Sequence, residues 1–255
     1  MTKHVRFSLD LTVPPTVSDA SLFVMHGTLE DDVITSNGKT YKLASVRLLP
    51  PCSPTKIVCV GRNYADHAKE LGNAIPTEPL IFMKPVSSLI AHGDNIIYPS
   101  LSSSVSYEGE LGVIISKRAR NIAAADWEEY VLGYTCINDV TARDLQKKDG
   151  QWTRGKGFDT FCPTGPWMVP AAEVNVAALR VTAFVNGEKR QDAPTTDMIF
   201  DLPTILSYIT QFMTLEPGDL IATGTPPGVG VIEPGTTIRV EIEGVGTLEN
   251  KLVKQ

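Results

Sequence analysis

The chain is dominated by short apolar runs that are typical of β-strands, and these runs do not alternate regularly with helices. Beyond the first fifty residues they recur at residues 56–60, 80–83, 111–115, 132–137, 181–186, 220–222, 237–242 and 247–253. Asn186-Gly187 and the Gly244-Val245-Gly246 segment are hairpin signals between such runs. A doubly wound α/β fold needs strand and helix in alternation. The pattern therefore predicts a strand-rich α+β fold.

Helical periodicity is confined to a few places. Apolar residues at 202, 205, 206 and 209 trace one face and predict a helix over residues 202–212. A shorter amphipathic helix is predicted over residues 63–71, with Gly72 as its C-terminal cap. Thr141 could cap a third short helix that carries Arg143 and Gln146.

The first fifty residues form a separate pattern. Short β segments are predicted over residues 5–9, 22–25 and 41–48, interrupted by prolines and by a turn over residues 36–39. The proline-rich segment 50–54 then resembles a linker. We therefore predict a small N-terminal domain over residues 1–52 and a larger domain over residues 53–255.

Composition narrows the class of protein. With 42% apolar and 20% charged residues over 255 positions, the chain is ordinary for a soluble globular protein with a substantial core. A net charge of −6 and the lack of a basic run argue against nucleic-acid binding. The sequence shows no signal peptide or membrane anchor, and its four cysteines lack paired spacing, so reduced thiols and a cytoplasmic location are expected.

Glu108 and Glu110 lie two residues apart where a nearly continuous apolar strand begins, at 111–115. Residues i and i+2 of a strand share a face, and two carboxylates held that close repel unless a cation or a proton lies between them. The alternative is an exposed edge strand whose acids face water. A strand that is apolar on both faces favours burial, and with it a divalent cation.

Asp139 ends another apolar run and could add a third carboxylate to this pair, although by itself it could equally be a helix cap. Three oxygen ligands, with no cysteine or histidine at ligand spacing, suit Mg²⁺ or Mn²⁺ better than Zn²⁺. The sequence thus predicts a magnesium or manganese site at Glu108, Glu110 and Asp139.

His67 stands three residues before Glu70 on the predicted helix, where the carboxylate can orient the imidazole as a general base. An incidental pair on a solvated helix is the alternative. Lys156 and Arg143 could likewise serve the chemistry, or simply balance the charge of the three acids. The glycine-rich segment 224–230 lacks the Lys-Ser/Thr ending of a phosphate loop and could be a plain surface loop.

Five motifs in one order resemble the fumarylacetoacetate hydrolase family over about residues 55 to 255. They are Gly61-Arg62-Asn63-Tyr64-Ala65-Asp66-His67, Tyr107-Glu108-Gly109-Glu110-Leu111, Asn138-Asp139-Val140-Thr141-Ala142-Arg143-Asp144, Gly155-Lys156-Gly157-Phe158-Asp159-Thr160 and Gly224-Thr225-Pro226-Pro227-Gly228-Val229-Gly230. The resemblance implies a mixed β-sandwich roll behind a small N-terminal domain, and a homodimer.

The resemblance also implies roles for single residues. His67 and Glu70 would activate water, and Lys156 would face negative charge developing on the substrate. The substrate itself would contact Arg143, Gln146 and Thr225, with Thr225 against its carboxylate.

The implied activity is a metal-dependent cleavage of carbon–carbon bonds in small 2-oxo acids through a metal-bound enolate. Acylpyruvate hydrolysis is the first expectation, and oxaloacetate decarboxylation could use the same site. The segment 156–161 is also similar to 5-carboxymethyl-2-hydroxymuconate and 2-hydroxyhepta-2,4-diene-1,7-dioate isomerases, which leaves isomerisation as the alternative. A catalytically silent metal-binding scaffold would be expected to lose His67, Glu70 or Lys156, and all three are present.

Overall fold

Strands hold 41% of the residues and helices 20% in the computed structural model, which describes residues 1–70, 72 and 74–255. The prediction of a strand-rich α+β fold is confirmed.

The strands are numbered β1 to β20 in chain order. They are Lys3–Ser8, Met25–Glu30, Val33–Ser36, Lys39–Lys42, Arg47–Leu49, Ile57–Gly61, Leu80–Lys84, Leu89–Ile90, Asn95–Tyr98, Val105–Ser106, Gly109–Ile115, Val131–Asn138, Thr141–Ala142, Cys162–Pro170, Arg180–Val185, Glu188–Pro194, Leu220–Ala222, Val231–Ile232, Thr237–Ile242 and Gly246–Lys254. The α-helices, α1 to α4, are Ala65–Glu70, Arg143–Asp149, Thr153–Lys156 and Leu202–Phe212. Short 3₁₀ turns occupy Leu43–Ser45, Val86–Ser88, Ala124–Tyr130, Ala171–Glu173, Val176–Ala178 and Thr195–Asp197.

Two sheets pack against each other around the main core. The larger runs in the order β4-β3-β2-β1-β14-β12-β11-β17-β6-β7, with β5 on β1 and β8 on β14. The smaller runs β16-β15-β19-β20-β9, and a three-stranded sheet, β13-β10-β18, stands beside them. Leu111 of the larger sheet shares one apolar cluster with Val181 and Val240 of the smaller sheet and Ile205 of α4. This layering is a mixed β-sandwich with one long helix covering its core.

Strand β11 is buried along its whole length, as its continuous apolar run predicts. It pairs antiparallel with β12, and the first residue of β11, Gly109, lies opposite the last residue of β12, Asn138. The start of one strand and the end of the other therefore meet at the same edge of the sheet.

Helix α4 has the bounds that the sequence predicts. Asp201 caps its first turn by accepting a hydrogen bond of 3.0 Å from the Thr204 amide. Leu202, Ile205 and Ile209 are buried on its apolar face.

Several local predictions are wrong. The strand predicted at 22–25 begins only at Met25, and the run 41–48 is divided by the 3₁₀ turn between β4 and β5. Helix α1 begins at Ala65 rather than at residue 63, and the predicted end at Leu71 lies outside the described residues. Thr141 does not cap α2, because it lies in β13 and its hydroxyl donates to the Asp139 carbonyl.

The N-terminal strands have a small apolar cluster of their own, built on Val5, Phe7, Leu29 and Ile34. They also continue the larger sheet, since β1 pairs with β14. The buried Arg6 guanidinium donates to carbonyl oxygens in the segment 50–52 and so fixes the connection. The domain division at residue 52 stays a prediction.

The four cysteines are buried and form no disulfide, as their spacing predicts. Within the described residues, no helix has the length and apolarity needed to cross a membrane. The cytoplasmic location and the homodimer stay predictions.

Asp219 links the parallel strands β6 and β17 just before both strands begin. Its buried carboxylate accepts hydrogen bonds from the Thr55 amide at 2.9 Å and hydroxyl at 2.7 Å, and it pairs with the Lys56 ammonium at 2.5 Å. It also accepts from the Glu216 amide.

We expect Asp219→Ala to lower the free energy of unfolding by about 3 kcal/mol, because the donors around this buried carboxylate would lose their acceptor. Urea denaturation measures the change. Asp126→Ala, which removes an exposed acid, is the matched control, and its free energy of unfolding should stay within about 0.5 kcal/mol of the parent's. Equal losses in the two variants would contradict this role.

Candidate active site

One cavity of about 520 Å³ opens at the edge where β11 and β12 meet. Its lining includes all the residues that the sequence singles out for a site, namely His67, Glu70, Glu108, Glu110, Asp139, Arg143, Gln146, Lys156 and Thr225. These residues span 159 positions of the chain, from 67 to 225 inclusive, and only folding brings them together.

The three carboxylates converge because of the strand pairing. Glu108 lies immediately before β11, Glu110 lies within it, and Asp139 immediately follows β12. The Asp139 amide donates to the Glu108 carbonyl at 2.8 Å, which extends the ladder beyond both strands. One oxygen of each carboxylate lies within 4.8 Å of one oxygen of each of the others, and all three residues are buried.

Three cations meet these acids. Lys156 Nζ lies 2.7 Å from Glu108 Oε2 and 2.5 Å from Asp139 Oδ2. Lys84 Nζ lies 2.6 Å from Asp139 Oδ1, and the Arg143 guanidinium donates to Glu108 Oε1. Because both lysines are almost completely buried, these are desolvated ion pairs rather than surface contacts.

The cations act unequally on the acids. Burial alone would raise the pKa of Glu108, but Arg143 and Lys156 hold that pKa well below its usual range. Burial, together with the charges of Asp139 and Glu108, instead raises the pKa of Glu110 well above its usual range. Glu110 is therefore the acid that most needs a further cation.

The residues fit a hard divalent cation. Three buried carboxylates each direct an oxygen into one small space, and the shortage of positive charge falls on Glu110. Oxygen ligands of this kind are those that Mg²⁺ and Mn²⁺ prefer. The Gly224 amide donates to Glu110 Oε2 at 2.7 Å and orients the carboxylate. Gly224 has a φ of 101°, and a Cβ there would lie 2.5 Å from Asn63 Cβ, so only glycine fits.

His67 and Glu70 project from α1 toward the same cavity. His67 Nδ1 lies 3.3 Å from Glu70 Oε2, and Glu70 also accepts from the Gly228 amide. Burial lowers the pKa of His67, although the nearby Glu108 and Glu70 oppose that change. The imidazole is thus kept neutral to lower pH than an ordinary histidine, as a general base requires.

Arg143 and Gln146, predicted as substrate contacts, line the cavity from helix α2. In the structure they also contact each other, since Arg143 donates to Gln146 Oε1 at 3.1 Å. Thr225 lines the cavity too, but its hydroxyl donates to the Gly109 carbonyl at 2.9 Å and accepts from Gln191 Nε2 at 2.7 Å. The Thr225 hydroxyl proton is therefore held by the backbone, and this differs from its expected use toward a substrate carboxylate.

Sequence reasoning missed three polar residues that support the site. Lys84 follows a strand-like run and gave no signal beyond a lysine at a strand end. Asn63 holds the loop before α1, donating to the Phe200 and Thr223 carbonyls at 3.0 and 2.8 Å. Gln191 accepts from the Gly109 amide at 2.9 Å and so fixes the start of β11. Each acts across more than 50 residues of sequence, which no local pattern reveals.

A strand-rich sandwich with a cavity that combines three buried carboxylates and a histidine–glutamate pair has the arrangement of an enzyme active site. The chain belongs to the fumarylacetoacetate hydrolase family, since the model of the C-terminal region of fumarylacetoacetate hydrolase matches residues 56–253. The resemblance drawn from the sequence motifs is confirmed.

Relatives in this family carry several activities. The mitochondrial oxaloacetate tautomerase FAHD2A of Bos taurus is 44% identical over 81% of this chain and 69% of its own length. The 2-hydroxyhepta-2,4-diene-1,7-dioate isomerase of Mycobacterium marinum is 39% identical, with a TM-score of 0.86 over 100% of this chain and 99% of its own. The fumarylpyruvate hydrolase of Pseudomonas aeruginosa, solved with Mn²⁺ and pyruvate, is 36% identical, with a TM-score of 0.76 over 80% and 91%.

We expect Lys84→Met to lower the free energy of unfolding by about 3 kcal/mol in chelator, because Asp139 would lose a buried partner. Saturating Mg²⁺ should then stabilise the variant more than the parent, since the cation would restore the missing charge. Thermal unfolding with and without Mg²⁺ measures both effects. Lys69→Met, which removes an exposed pair with Asp66, is the matched control. No difference between the two variants would refute the role of Lys84.

Proposed function

We propose that this protein is a divalent-metal-dependent enzyme that breaks carbon–carbon bonds of small 2-oxo acids, with hydrolysis of 2,4-dioxo acids as its main reaction. One observation carries the proposal, namely that the three carboxylates, the histidine–glutamate pair and Lys156 line one cavity of about 520 Å³. That volume suits a small metabolite.

Glu108, Glu110 and Asp139 would hold the metal, and Mg²⁺ or Mn²⁺ fits these ligands. When bound, the metal would supply Lewis-acid polarisation of the substrate carboxylate and 2-oxo group. The relative from Pseudomonas aeruginosa, solved with Mn²⁺ and pyruvate, supports both the kind of metal and the kind of ligand.

His67 would take a proton from water. Its Nδ1 faces the Glu70 carboxylate, so Nδ1 carries the proton and Nε2 is the basic nitrogen. Water deprotonated at Nε2 would attack the 4-oxo carbon of an acylpyruvate. The bond between C3 and C4 then breaks, giving a carboxylic acid and the enolate of pyruvate, which takes up a proton at C3.

Lys156 would stabilise the negative charge that develops on the substrate. Burial would lower its pKa, but Asp139 and Glu108 outweigh burial and raise that pKa, so the ammonium stays charged. A fixed positive charge in a buried cavity costs no reorganisation when an oxyanion forms beside it. Arg143 adds a second positive charge at the same wall.

Oxaloacetate could use the same cavity without His67, because its C3–C4 bond breaks with loss of carbon dioxide and no water attacks. Lys156 would stabilise the charge of the enolate in this reaction, and a metal held by the three carboxylates would supply Lewis-acid polarisation. Decarboxylation is therefore a secondary activity of the proposal.

Isomerisation or tautomerisation is the second candidate function. Both need only a proton removed from one carbon and returned to another atom, which a neutral His67 and a charged Lys156 can provide. The likeness to the isomerase of Mycobacterium marinum over the whole chain favours this candidate, as does the identity with the tautomerase of Bos taurus.

Acetylpyruvate loss, oxaloacetate decarboxylation and oxaloacetate tautomerisation should be measured side by side with Mg²⁺, with Mn²⁺ and after exhaustive chelation. We expect acetylpyruvate hydrolysis to depend on the metal and to fall at least about 100-fold on chelation, because the substrate carbonyl loses its polarisation. Activity unchanged by chelation would overturn the metal-dependent mechanism. Fast tautomerisation without hydrolysis would favour the second candidate.

His67→Ala should lower kcat for hydrolysis roughly 100-fold or more and leave oxaloacetate decarboxylation within about threefold, because only hydrolysis needs an activated water. Asp139→Ala should abolish both reactions. His26→Ala, an exposed histidine on a distant strand, is the matched control and should keep both activities. Equal losses in the two reactions for His67→Ala would contradict its role toward water.

A further inference from the structure

The positively charged side chains that line the cavity differ in whether a carboxylate is paired with them. Lys156, Lys84 and Arg143 are each paired with a carboxylate of the site. Arg62 and Lys147 also line the cavity, but among the described residues neither has an acid within salt-bridge distance. Two cations therefore face the cavity with no acid paired to them within the part of the chain that the structure describes.

Arg62 is held at the end of β6 by an unusual backbone conformation. Its φ is 55°, a left-handed value that non-glycine residues rarely adopt and that costs on the order of 1 kcal/mol. This conformation directs the chain out of the strand just before α1, which carries His67. A long cationic side chain therefore stands at a position that glycine would occupy without strain.

An aromatic platform supports Arg62. Its guanidinium carbon lies 5.5 Å from the centre of the Trp152 ring, which meets the Phe82 ring edge-on at 5.1 Å between centroids. Gly61 permits this packing, because a Cβ there would lie 2.7 Å from the Trp152 ring. On the other side, Lys156 Nζ lies 5.0 Å from the Phe82 ring. Two packed rings therefore separate Lys156, at the carboxylates, from Arg62.

The contact with the Trp152 ring limits the motion of the Arg62 guanidinium but leaves its hydrogen-bond donors available. The ring attracts the positive charge without accepting its hydrogen bonds, and the five N–H donors of Arg62 have no acid partner among the described residues. A carboxylate can still accept two of them in parallel. Arg62 is therefore a preorganised receptor for a second anionic group at some distance from the three site carboxylates.

We propose that Arg62 is a specificity-determining residue that binds a second carboxylate at the end of the substrate remote from the 2-oxo group. This inference rests on the proposed function, which places the 2-oxo acid end against Glu108, Glu110 and Asp139. Trp152 acts as the positioning residue that holds the guanidinium toward the cavity.

Lys147 is the rival receptor for that carboxylate. It lies in the last turn of α2, its side chain is exposed, and among the described residues it forms no salt bridge. A flexible ammonium loses more conformational entropy when it binds a carboxylate than a guanidinium already held over a ring. Arg62 is thus the better receptor.

The test compares two substrates that differ only in the terminal group. Succinylpyruvate carries a carboxylate where butyrylpyruvate carries a methyl group, and both are 2,4-dioxo acids of the same chain length. The variants are Arg62→Gln, Arg62→Lys as a conservative second change, and Lys147→Gln. Arg118→Gln, an exposed arginine outside the cavity, is the matched control. Thermal unfolding establishes that each variant folds.

We expect Arg62→Gln to raise KM for succinylpyruvate roughly 10- to 100-fold, the range for loss of a charge-assisted pair, with kcat within about threefold. KM for butyrylpyruvate should stay within about twofold, and Arg62→Lys should fall between the parent and Arg62→Gln. Equal changes for both substrates would overturn the proposal. So would a selective loss in Lys147→Gln in place of Arg62→Gln.

A binding measurement separates this inference from the proposed function. Isothermal titration with Mn²⁺ present compares 2-oxoglutarate with 2-oxopentanoate, neither of which has a 4-oxo group to be cleaved. If Arg62→Gln binds 2-oxoglutarate more weakly but binds 2-oxopentanoate as the parent does, the role of Arg62 as a receptor is supported. If the parent cleaves neither succinylpyruvate nor butyrylpyruvate, only the proposed function is refuted. Equal binding of both probes by the parent and by Arg62→Gln would overturn the inference whatever the turnover results.

Discussion

The mutual repulsion of three buried carboxylates is the constraint on which the rest of the site depends. The pairing of β11 with β12 brings Glu108 and Asp139 to one sheet edge, and β11 itself carries Glu110. Lys156, Lys84 and Arg143 offset part of the charge from elements that are distant in sequence. Removing one member leaves a buried charge without compensation, which costs several kcal/mol. The acids and cations of the cavity therefore stabilise one another, and the remaining demand for positive charge at Glu110 is what a divalent cation would meet.

The cavity divides into two parts with different physical tasks. At its floor lie the carboxylate oxygens and the fixed positive charges, which in the proposed function would stabilise a developing enolate. At its mouth, the aromatic pair of Phe82 and Trp152 carries a guanidinium outward from the floor. Relatives that act as hydrolase, isomerase and tautomerase share the fold. The range of activities among these relatives shows that the fold by itself does not fix the reaction.

Sequence reasoning succeeded where local pattern and burial agree. The continuous apolar run of β11 and the one-sided periodicity of α4 are strong signals, and both elements have nearly the predicted bounds. It failed where tertiary context overrides pattern. Strand β14 contains Pro163, Pro166 and Pro170, residues that argue against a strand, yet it lies between β1 and β12 in the larger sheet. Thr141 has the chemistry of a helix cap, but strand pairing with β10 places it one residue too early.

The sequence by itself determined the fold class, the family and the identity of nine residues that line the cavity, because these follow from strand patterning and from motifs of fixed order. Tertiary structure decided how those residues share charge. Lys84 reaches Asp139 across 55 positions, and Gln191 reaches the start of β11 across 82. It also decided that the Thr225 hydroxyl bonds to the backbone and that the Arg62 guanidinium lies over the Trp152 ring. The reason is physical: periodicity specifies which face of an element is buried, whereas hydrogen bonds and ion pairs depend on which elements the fold brings together.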